Sequence, residues 1–256
     1  MKKVLSKFPG YNFGKKSYFF AYNCILKARN KVVPTARIIL YHRVAKLERD
    51  PYLLAVSPEN FQEQIEYLKN NFRVVPLSEL AKEVSSKKLV NNTAAITFDD
   101  GYSDNFHNAF PVLQRSNTPA TIFITTDNIG KENFLGKGEI KKLTEAKDII
   151  EIGVHTISHP RLSKVTPEEQ EKEITKSKEL LEIETGRPIL SFAYPFGDKK
   201  SFDSDTVDLV KKAGYLYACA NNHERITKNS DPFALPRFVA RDWSLEEFKK
   251  ELKKWI

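Results

Sequence analysis

The stretch AAITFDDG, residues 94–101, is an apolar run that stops on two adjacent carboxylates and a glycine. A short apolar run followed by turn-forming residues is typical of a buried strand. Neighbouring carboxylates repel each other, which raises one pKa unless a cation or hydrogen bonds compensate. The segment therefore predicts a buried strand. Asp99 and Asp100 indicate either a hydrogen-bonded turn or helix cap, or a chemical site at the strand end.

Further strands and helices alternate on both sides of this stretch. Buried strands that alternate with helices indicate a parallel sheet, and roughly eight strands favour a barrel over an open doubly wound sheet. We therefore predict an α/β fold, a single-domain distorted (β/α) barrel of about seven to eight parallel strands. Strands are predicted at 37–42, 72–77, 94–98, 120–126, 149–156, 190–196 and 216–221, and helices at 57–71, from 78, and near 104–116, 139–148, 167–184 and 203–213.

The composition describes an ordinary globular chain with a basic surface. With 256 residues, 41% of them hydrophobic, it can build one sizeable core. The net charge of +8 is spread over Lys-Lys pairs, which favours a solvated surface over an anion-binding patch. No helix-turn-helix pattern or basic-aromatic platform is present, so we expect no nucleic-acid partner. Cys24 and Cys219 indicate buried thiols of a reducing compartment, although the two could in principle pair.

The first residues differ from the rest in character. Residues 1–36 are predicted to form a basic, aromatic, helical extension, and residues 37–256 the barrel domain. The apolar segment 17–26 is short, interrupted by Asn23, and followed by basic residues instead of a cleavage site. We expect neither a signal peptide nor a membrane span. This favours a cytoplasmic location, with contact between the extension and a membrane surface as an open alternative.

Polar residues cluster directly after the predicted strands. The C-terminal ends of barrel strands meet on one face of the domain, where the active sites of such barrels lie. We therefore expect these side chains to share one face. They are Tyr41, His42, Asp99, Asp100, Thr125, Thr126, Asp127, His155, His159, Tyr194, Asp198, Asn221, Asn222 and His223.

The segment HTISH places His155 and His159 four positions apart. On a helical turn this spacing sets both imidazoles on one face, within reach of one metal ion, although surface or packing histidines would show the same spacing. An aspartate of the strand-end pair can supply the third ligand, and its neighbour can act as a base on water. Zinc is the default ion for such a donor set, and cobalt, nickel or manganese would also fit.

Three segments together resemble the motifs of a known family. TFDDG (97–101), HTISH (155–159) and FAYPFG (192–197) are similar to the motifs of the NodB-homology polysaccharide deacetylases, carbohydrate esterase family 4. The likeness extends over about residues 37–243. The start ILYHRV and the segment SPENFQEQIEYLKNNFRVVPLSEL resemble in particular the branch of poly-N-acetylglucosamine and envelope-glycan deacetylases.

The resemblance implies a role for each motif residue. Asp99 becomes the general base, and the backbone N–H of Phe196 contributes to the oxyanion site. Tyr194, in the same motif, is expected at the substrate site. The implied reaction is metal-assisted hydrolysis of an acetamido group on an N-acetylhexosamine-containing glycan or glycolipid precursor, so that the partner is an N-acetylated carbohydrate, either free or lipid-linked. The implied metal ligands are Asp100, His155 and His159.

Two positions depart from the family pattern. Ala193 stands where the third motif usually has an arginine that holds the catalytic aspartate. Arg237 is the preferred replacement, with Arg241 as the second candidate and an ordinary surface arginine as the alternative. The late Leu-x-His motif with its general-acid histidine is also absent. His42 is the first candidate for the acid, with a buried core histidine as its alternative reading, and His223 is the second candidate.

These departures keep two other functions open. One is hydrolysis of an O-acetyl ester on a sugar, which uses the same groups. The other is a non-catalytic domain that binds glycans or is stabilised by a metal. The retained Asp99 favours an enzyme, because a binding domain has no need of a base.

Overall fold

The computed structural model describes residues 34–222 and 224–254. Most of the predicted extension 1–36, including Cys24, lies outside the described residues, as does His223. Cys219, in the described part of the chain, is a free, buried thiol. No helix within the described ranges is long and apolar enough to cross a membrane.

Eight strands form one parallel sheet, and two short strands form a second. Along the sheet the order is β10-β1-β5-β6-β7-β8-β9, and β4 also pairs with β5. The predicted distorted (β/α) barrel is confirmed. The strands are β1 (Ala36–Tyr41), β2 (Arg43–Val44), β3 (Ala55–Val56), β4 (Arg73–Val74), β5 (Thr93–Phe98), β6 (Ala120–Ile124), β7 (Ile150–Val154), β8 (Ser191–Ala193), β9 (Tyr217–Cys219) and β10 (Phe238–Val239).

The chain after β9 brings the two ends of the sheet together. Leu235 donates its N–H to Ala218 of β9 and accepts from Ala220, each at 2.9 Å. Three residues later, Phe238 of β10 pairs with Ile39 of β1. The strand β10 was not predicted, because two residues give no readable periodicity. It fixes where Arg237 enters the barrel.

Seven α-helices surround the sheet in the described part of the chain. The predicted helix near 104–116 is instead a π-helical turn (Asn105–Ala109) that leads into an α-helix, because Pro111 has no N–H for the preceding turn. The predicted strand at 72–77 is only β4, since Pro76 precedes a helix. The helices are α1 (Pro58–Asn71), α2 (Leu77–Ser85), α3 (Phe110–Ser116), α4 (Lys137–Glu145), α5 (Pro167–Thr185), α6 (Ser204–Lys212) and α7 (Leu245–Lys253).

The opening stretch lies at the centre of this fold. All six residues of β5 are buried, as are all six of β1 beside it. Phe98 ends β5 in an aromatic cluster, with its ring centroid 5.5 Å from Tyr41 and 5.8 Å from Phe61. This packing anchors the C-terminal end of β5, from which the two aspartates extend.

Candidate active site

The polar residues at the C-terminal ends of the strands line one cavity of about 680 Å³. Asp99 and Asp100 follow β5, His155 follows β7, and Phe196 follows β8. The prediction that strand-end residues share a face is confirmed for His42, Asp99, Asp100, His155, His159, Asp198 and Asn221. The cavity is not lined by the other described members of the predicted set, which are Tyr41, Thr125, Thr126, Asp127, Tyr194 and Asn222. The whole lining comprises His42, Tyr52, Leu54, Asp99, Asp100, Tyr102, Asn128, Phe134, His155, His159, Arg161, Phe196, Asp198, Asn221, Val239 and Arg241.

Three side chains of the cavity converge as a metal site would require. Asp100 Oδ1 lies 3.5 Å from His155 Nε2 and 3.4 Å from His159 Nε2. Two ligands at about 2.1 Å from a tetrahedral ion lie roughly 3.4 Å from each other. The ligand atoms of all three residues lie within 4.8 Å of one another. Their spacing and chemistry therefore fit a divalent cation.

A hydrogen bond fixes how His155 presents its ring. Its Nδ1 lies 2.8 Å from the carbonyl oxygen of Ala193, so Nδ1 carries the proton and Nε2 has its lone pair free for the cluster. Burial lowers the pKa of His155 to about 3, which keeps the ring neutral. Burial also raises the pKa of Asp100 to about 6. A cation in the site would favour the ionised carboxylate and remove this conflict.

The histidines converge through a loop instead of a helix. Thr156 and His159 have φ angles of 65° and 63°, in the left-handed region, so residues 155–159 do not form the helical turn on which this spacing would align the imidazoles. Asp100 also has a positive φ, 72°, and Gly101 follows at 76°. In an extended strand, residues four positions apart are too far from each other to share one ion. The left-handed residues fold the chain back, so that both imidazoles lie near Asp100.

Asp99 is held by a buried arginine. Arg237 Nη1 and Nη2 donate to the two carboxylate oxygens of Asp99, each at 2.7 Å, and Nε donates to the carbonyl of Ala220 at 3.0 Å. Burial alone would raise the pKa of Asp99, but the Arg237 guanidinium outweighs it and lowers the pKa to about 2. The predicted contact of Arg237 is confirmed. Arg241 instead donates to the carbonyls of Tyr52 and Leu53.

The aspartate pair therefore does not serve as a helix cap or turn anchor. Asp104 instead has a structural role, because it holds β2: it accepts from the backbone N–H of Val44 at 2.8 Å and from Arg43 Nε at 2.9 Å. Sequence reasoning missed Asp104, as well as the stacked Tyr102 and Phe134 rings of the cavity wall, 4.7 Å apart. The signal for Tyr102 was present, because it directly follows the aspartates and Gly101.

His42 lines the same cavity as the aspartates. Burial lowers the pKa of His42, while the charges of Asp100 and Asp99 act in the opposite direction. Its backbone carbonyl accepts from Asn105 Nδ2 at 2.8 Å, which fixes the main chain. Because His42 lines the cavity together with both aspartates, it remains the first candidate for the proton donor. The alternative candidate His223 lies outside the described residues.

The third motif has one residue in the cavity and one in the core. Phe196 has a φ of 62° and a 45% exposed side chain, and its backbone N–H has no hydrogen-bond partner in the described part of the chain. Tyr194 is fully buried, stacks on Phe202 at 3.9 Å, and donates its hydroxyl to the carbonyl of Phe233. Tyr194 was predicted at the substrate site, but its side chain lies in the core and does not line the cavity, because it packs against Phe202 and donates to Phe233.

Comparisons with known proteins agree with this geometry. A Staphylococcus aureus protein named poly-beta-1,6-N-acetyl-D-glucosamine N-deacetylase is 28% identical over 247 residues, covering 86% of this chain and 83% of that protein. The crystal structure of a polysaccharide deacetylase from Bacillus cereus has 29% identity and a TM-score of 0.75, covering 86% of this chain and 69% of that one. A Streptococcus pyogenes deacetylase in complex with acetate shares the fold, with a TM-score of 0.76 at 21% identity and coverage of 86% and 99%.

A family model described as polysaccharide deacetylase matches residues 86–218, which include Asp99, Asp100, His155 and His159. The match spans more than half of the chain, from before β5 to within β9. The chain therefore belongs to the polysaccharide deacetylase family, that of the NodB-homology domain.

Proposed function

We propose that this protein hydrolyses the N-acetyl groups of N-acetylhexosamine residues in a glycan, with a divalent cation as cofactor. The observation that carries the proposal is the position of an ionised Asp99 beside the cluster of Asp100, His155 and His159. The name of the Staphylococcus aureus relative supports a polymer of β-1,6-linked N-acetylglucosamine as the glycan.

The low pKa of Asp99 explains why the reaction needs a cation. A carboxylate with a pKa of about 2 is always ionised near neutral pH, yet it is too weak a base to deprotonate ordinary water. A divalent cation on Asp100, His155 and His159, for which zinc is the first choice, supplies what is missing: it makes water more acidic and polarises the acetamido carbonyl.

The chain's own groups then carry the proton and the charge. Asp99 accepts the proton of the attacking water, while Arg237 keeps the carboxylate ionised and oriented. The free N–H of Phe196 donates to the carbonyl oxygen as negative charge develops there. The water oxygen bonds to the carbonyl carbon and the C–N bond breaks. His42, whose lowered pKa leaves it neutral at rest, first takes up a proton and then delivers it to the departing nitrogen. The products are acetate and a free amine on the sugar.

The test uses the purified protein, freed of metal by a chelator and reloaded with zinc. A β-1,6-linked N-acetylglucosamine oligomer is the substrate, and released acetate and free amine are both measured. We expect turnover only after reloading, and a loss of roughly 10²- to 10⁴-fold in kcat for Asp99→Asn. The matched control is His107→Ala, which removes an exposed histidine on the π-helical turn.

The competing functions give other results in the same assay. An O-acetylated sugar without N-acetyl groups serves as the ester probe, and turnover of this probe alone would identify an esterase. Bound zinc without turnover of either substrate would identify a non-catalytic domain. Full turnover by zinc-loaded Asp99→Asn would show that Asp99 is not the base.

A further inference from the structure

The ring of Phe196 is held from two sides. The guanidinium carbon of Arg161 lies 4.2 Å from the Phe196 ring centroid. On another side the His159 ring lies 4.8 Å from the same centroid, at an interplanar angle of 61°. An arginine this close to an aromatic face is attracted electrostatically and by stacking. Phe196 is therefore fixed although 45% of its side chain is exposed.

Arg161 is itself anchored away from the cluster. Its Nη1 donates to Asp198 Oδ2 at 2.8 Å and to Ser201 Oγ at 2.7 Å. Ser201 is 1% exposed, and its N–H donates to the Asp198 carbonyl at 2.8 Å, so both acceptors belong to one closed turn. The guanidinium plane is thus set by the turn at 198–201, and the ring of Phe196 rests on it.

The backbone of Phe196 needs such an anchor. A large L-residue rarely adopts a φ of 62°, because its Cβ crowds the following carbonyl. No hydrogen bond of the Phe196 N–H holds this conformation within the described residues. Gly197, at a φ of 64°, donates its N–H to the Pro195 carbonyl at 2.7 Å, and its carbonyl accepts from the Asn221 N–H at 2.8 Å, so two hydrogen bonds close the turn around Phe196. The side-chain contacts of Phe196 add to these hydrogen bonds in maintaining its strained backbone geometry.

We propose that Arg161 is a positioning residue, which stacks on Phe196 and keeps the Phe196 N–H aimed at the acetamido oxygen in the transition state. This inference rests on the proposed function. Arg161 also lines the cavity, but within the described residues it contacts neither Asp99 nor Asp100, and we assign its effect on turnover to its contact with Phe196. Lysine cannot replace it fully, because an ammonium group has no plane to stack on the ring.

The first experiment compares Arg161→Ala with Lys164→Ala, an exposed cation at the end of the 3₁₀ turn Leu162–Lys164, which directly follows Arg161. We expect Arg161→Ala to lower kcat by about tenfold or more, with a much smaller change in KM, because the lost interaction acts in the transition state. Arg161→Lys should recover only part of kcat. The kcat of Lys164→Ala should equal that of the wild type. All variants should bind zinc with wild-type affinity.

A double-mutant cycle separates positioning from a general structural effect. In a Phe196→Ala background, Arg161→Ala should have almost no further effect on kcat, because the ring that it stacks on is gone. Asp198→Asn, which keeps the guanidinium but weakens its anchor, should give a smaller loss than Arg161→Ala. An unchanged kcat in Arg161→Ala, or an equal loss in the Phe196→Ala background, would overturn the proposal.

A measurement on the protein without substrate tests the role of Arg161 independently of the proposed function. The ¹⁵N–¹H resonance of the Phe196 amide should shift and broaden in Arg161→Ala and remain in place in Lys164→Ala. Wild-type protein that binds zinc but hydrolyses no substrate would overturn the proposed function, while the amide resonance would still report on the contact. An unmoved Phe196 resonance in Arg161→Ala would overturn the positioning role.

Discussion

Asp99 and Asp100 are neighbours in sequence with opposite electrostatic environments. Asp99 is 3% exposed and accepts two hydrogen bonds from Arg237, which lowers its pKa to about 2. Asp100 has no such partner, and burial raises its pKa to about 6. Asp100 has a left-handed φ, and its carboxylate lies 3.5 Å from His155 Nε2 and 3.4 Å from His159 Nε2. The two neighbours therefore have different roles: Asp99 is a permanently charged base, and Asp100 is a carboxylate suited to a cation.

Replacing Arg237 tests how much this ion pair contributes. Arg237→Met leaves the buried Asp99 carboxylate unpaired, and we expect the free energy of unfolding to fall by about 3–5 kcal/mol. Urea unfolding monitored by circular dichroism measures the change. Arg115→Met, on the exposed surface of α3, removes the same charge and should change stability little. Equal stability of the two variants would show that the pair contributes nothing to the fold.

The site residues that sequence could identify are those of contiguous motifs. Asp99, Asp100, His155 and His159 were predictable because each pair lies within a few positions after a strand. Sequence favoured Arg237 over Arg241 as the partner of Asp99 but could not establish the contact, since Asp99 lies 138 positions earlier in the chain. Tyr194 was placed wrongly, because the direction of a side chain at the end of a short strand depends on the register.

The packing between neighbouring strands leaves no room for a larger side chain at some positions, so that even one added methyl group affects stability. Gly153 lies in β7, between β6 and β8, and a Cβ there would lie 2.5 Å from Phe123 Cδ1 and 2.5 Å from Ser191 Oγ. The sheet has no room at this point, because both neighbours belong to the adjacent strands. Gly138, in α4, is open by contrast, since a Cβ added there would meet no atom within 4 Å.

Alanine substitutions at these two glycines should therefore have opposite signs. Gly153→Ala forces neighbouring strands apart and should lower the free energy of unfolding by about 1–3 kcal/mol. Gly138→Ala should raise it by about 0.5–1 kcal/mol, because alanine loses less backbone entropy in a helix. Urea midpoints of both variants provide the measurement. A destabilised Gly138→Ala beside an unchanged Gly153→Ala would contradict the packing described for β7.

The start of α1 depends on a residue from the far end of the chain. The Ser57 side chain, at the N-cap position, does not cap its own helix. Asp242 Oδ1 instead accepts from Ser57 N, Ser57 Oγ and Asn60 Nδ2, at 2.9, 2.7 and 2.6 Å. Partial burial would raise the pKa of Asp242, and these hydrogen bonds outweigh it and lower the pKa.

This contact predicts a pH-dependent contribution to stability. Asp242→Ala should lower the free energy of unfolding by about 1 kcal/mol at neutral pH. Because the pKa of Asp242 is lowered in the folded state, the difference is fully present above the unfolded pKa of about 3.9 and disappears as the pH falls further. Unfolding by urea at several pH values, with Glu48→Ala as an exposed control, measures it. A difference that persists at about pH 2 would contradict the prediction.

At the level of elements, sequence was most informative where periodicity was long. The helix α5 was predicted as 167–184 and observed as Pro167–Thr185, with a capping box at Thr166 and a left-handed Gly186. The strands β2, β3 and β10 have two residues each, too few for an alternation to be recognised. The helix α7 was not predicted either, although Ser244 caps it and Glu247 completes the capping box.

For the whole molecule, barrel architecture was predictable and barrel closure was not. The alternation of strands and helices gave the parallel sheet and its functional face. Closure depends on Leu235 and β10, which join β9 to β1 through contacts across the whole sequence. Such long-range pairing leaves no local pattern, so only the structure could show how Arg237 reaches Asp99.

A cation bound at the strand ends should stabilise the entire fold, because its ligands come from separate elements. At about one hundred times its dissociation constant, zinc should add roughly 2.7 kcal/mol to the free energy of unfolding. His159→Ala should lose this gain, whereas His107→Ala should retain it. Thermal unfolding of chelator-treated protein, with and without zinc, measures the effect. An equal zinc-induced rise in melting temperature for both variants would show that His159 is not a ligand.

The late arrival of Arg237 also has a consequence for synthesis. A ribosome makes the chain from its N-terminus, so β5 and Asp99 emerge while Arg237 is still 138 codons away. Until β10 is added, Asp99 has no cation to offset its burial, and the barrel has no closing strand. A nascent chain or premature stop product would therefore expose an unfinished site, which proteolytic quality control can distinguish from the finished enzyme. The active site therefore cannot be completed before Arg237 and β10 have been synthesised.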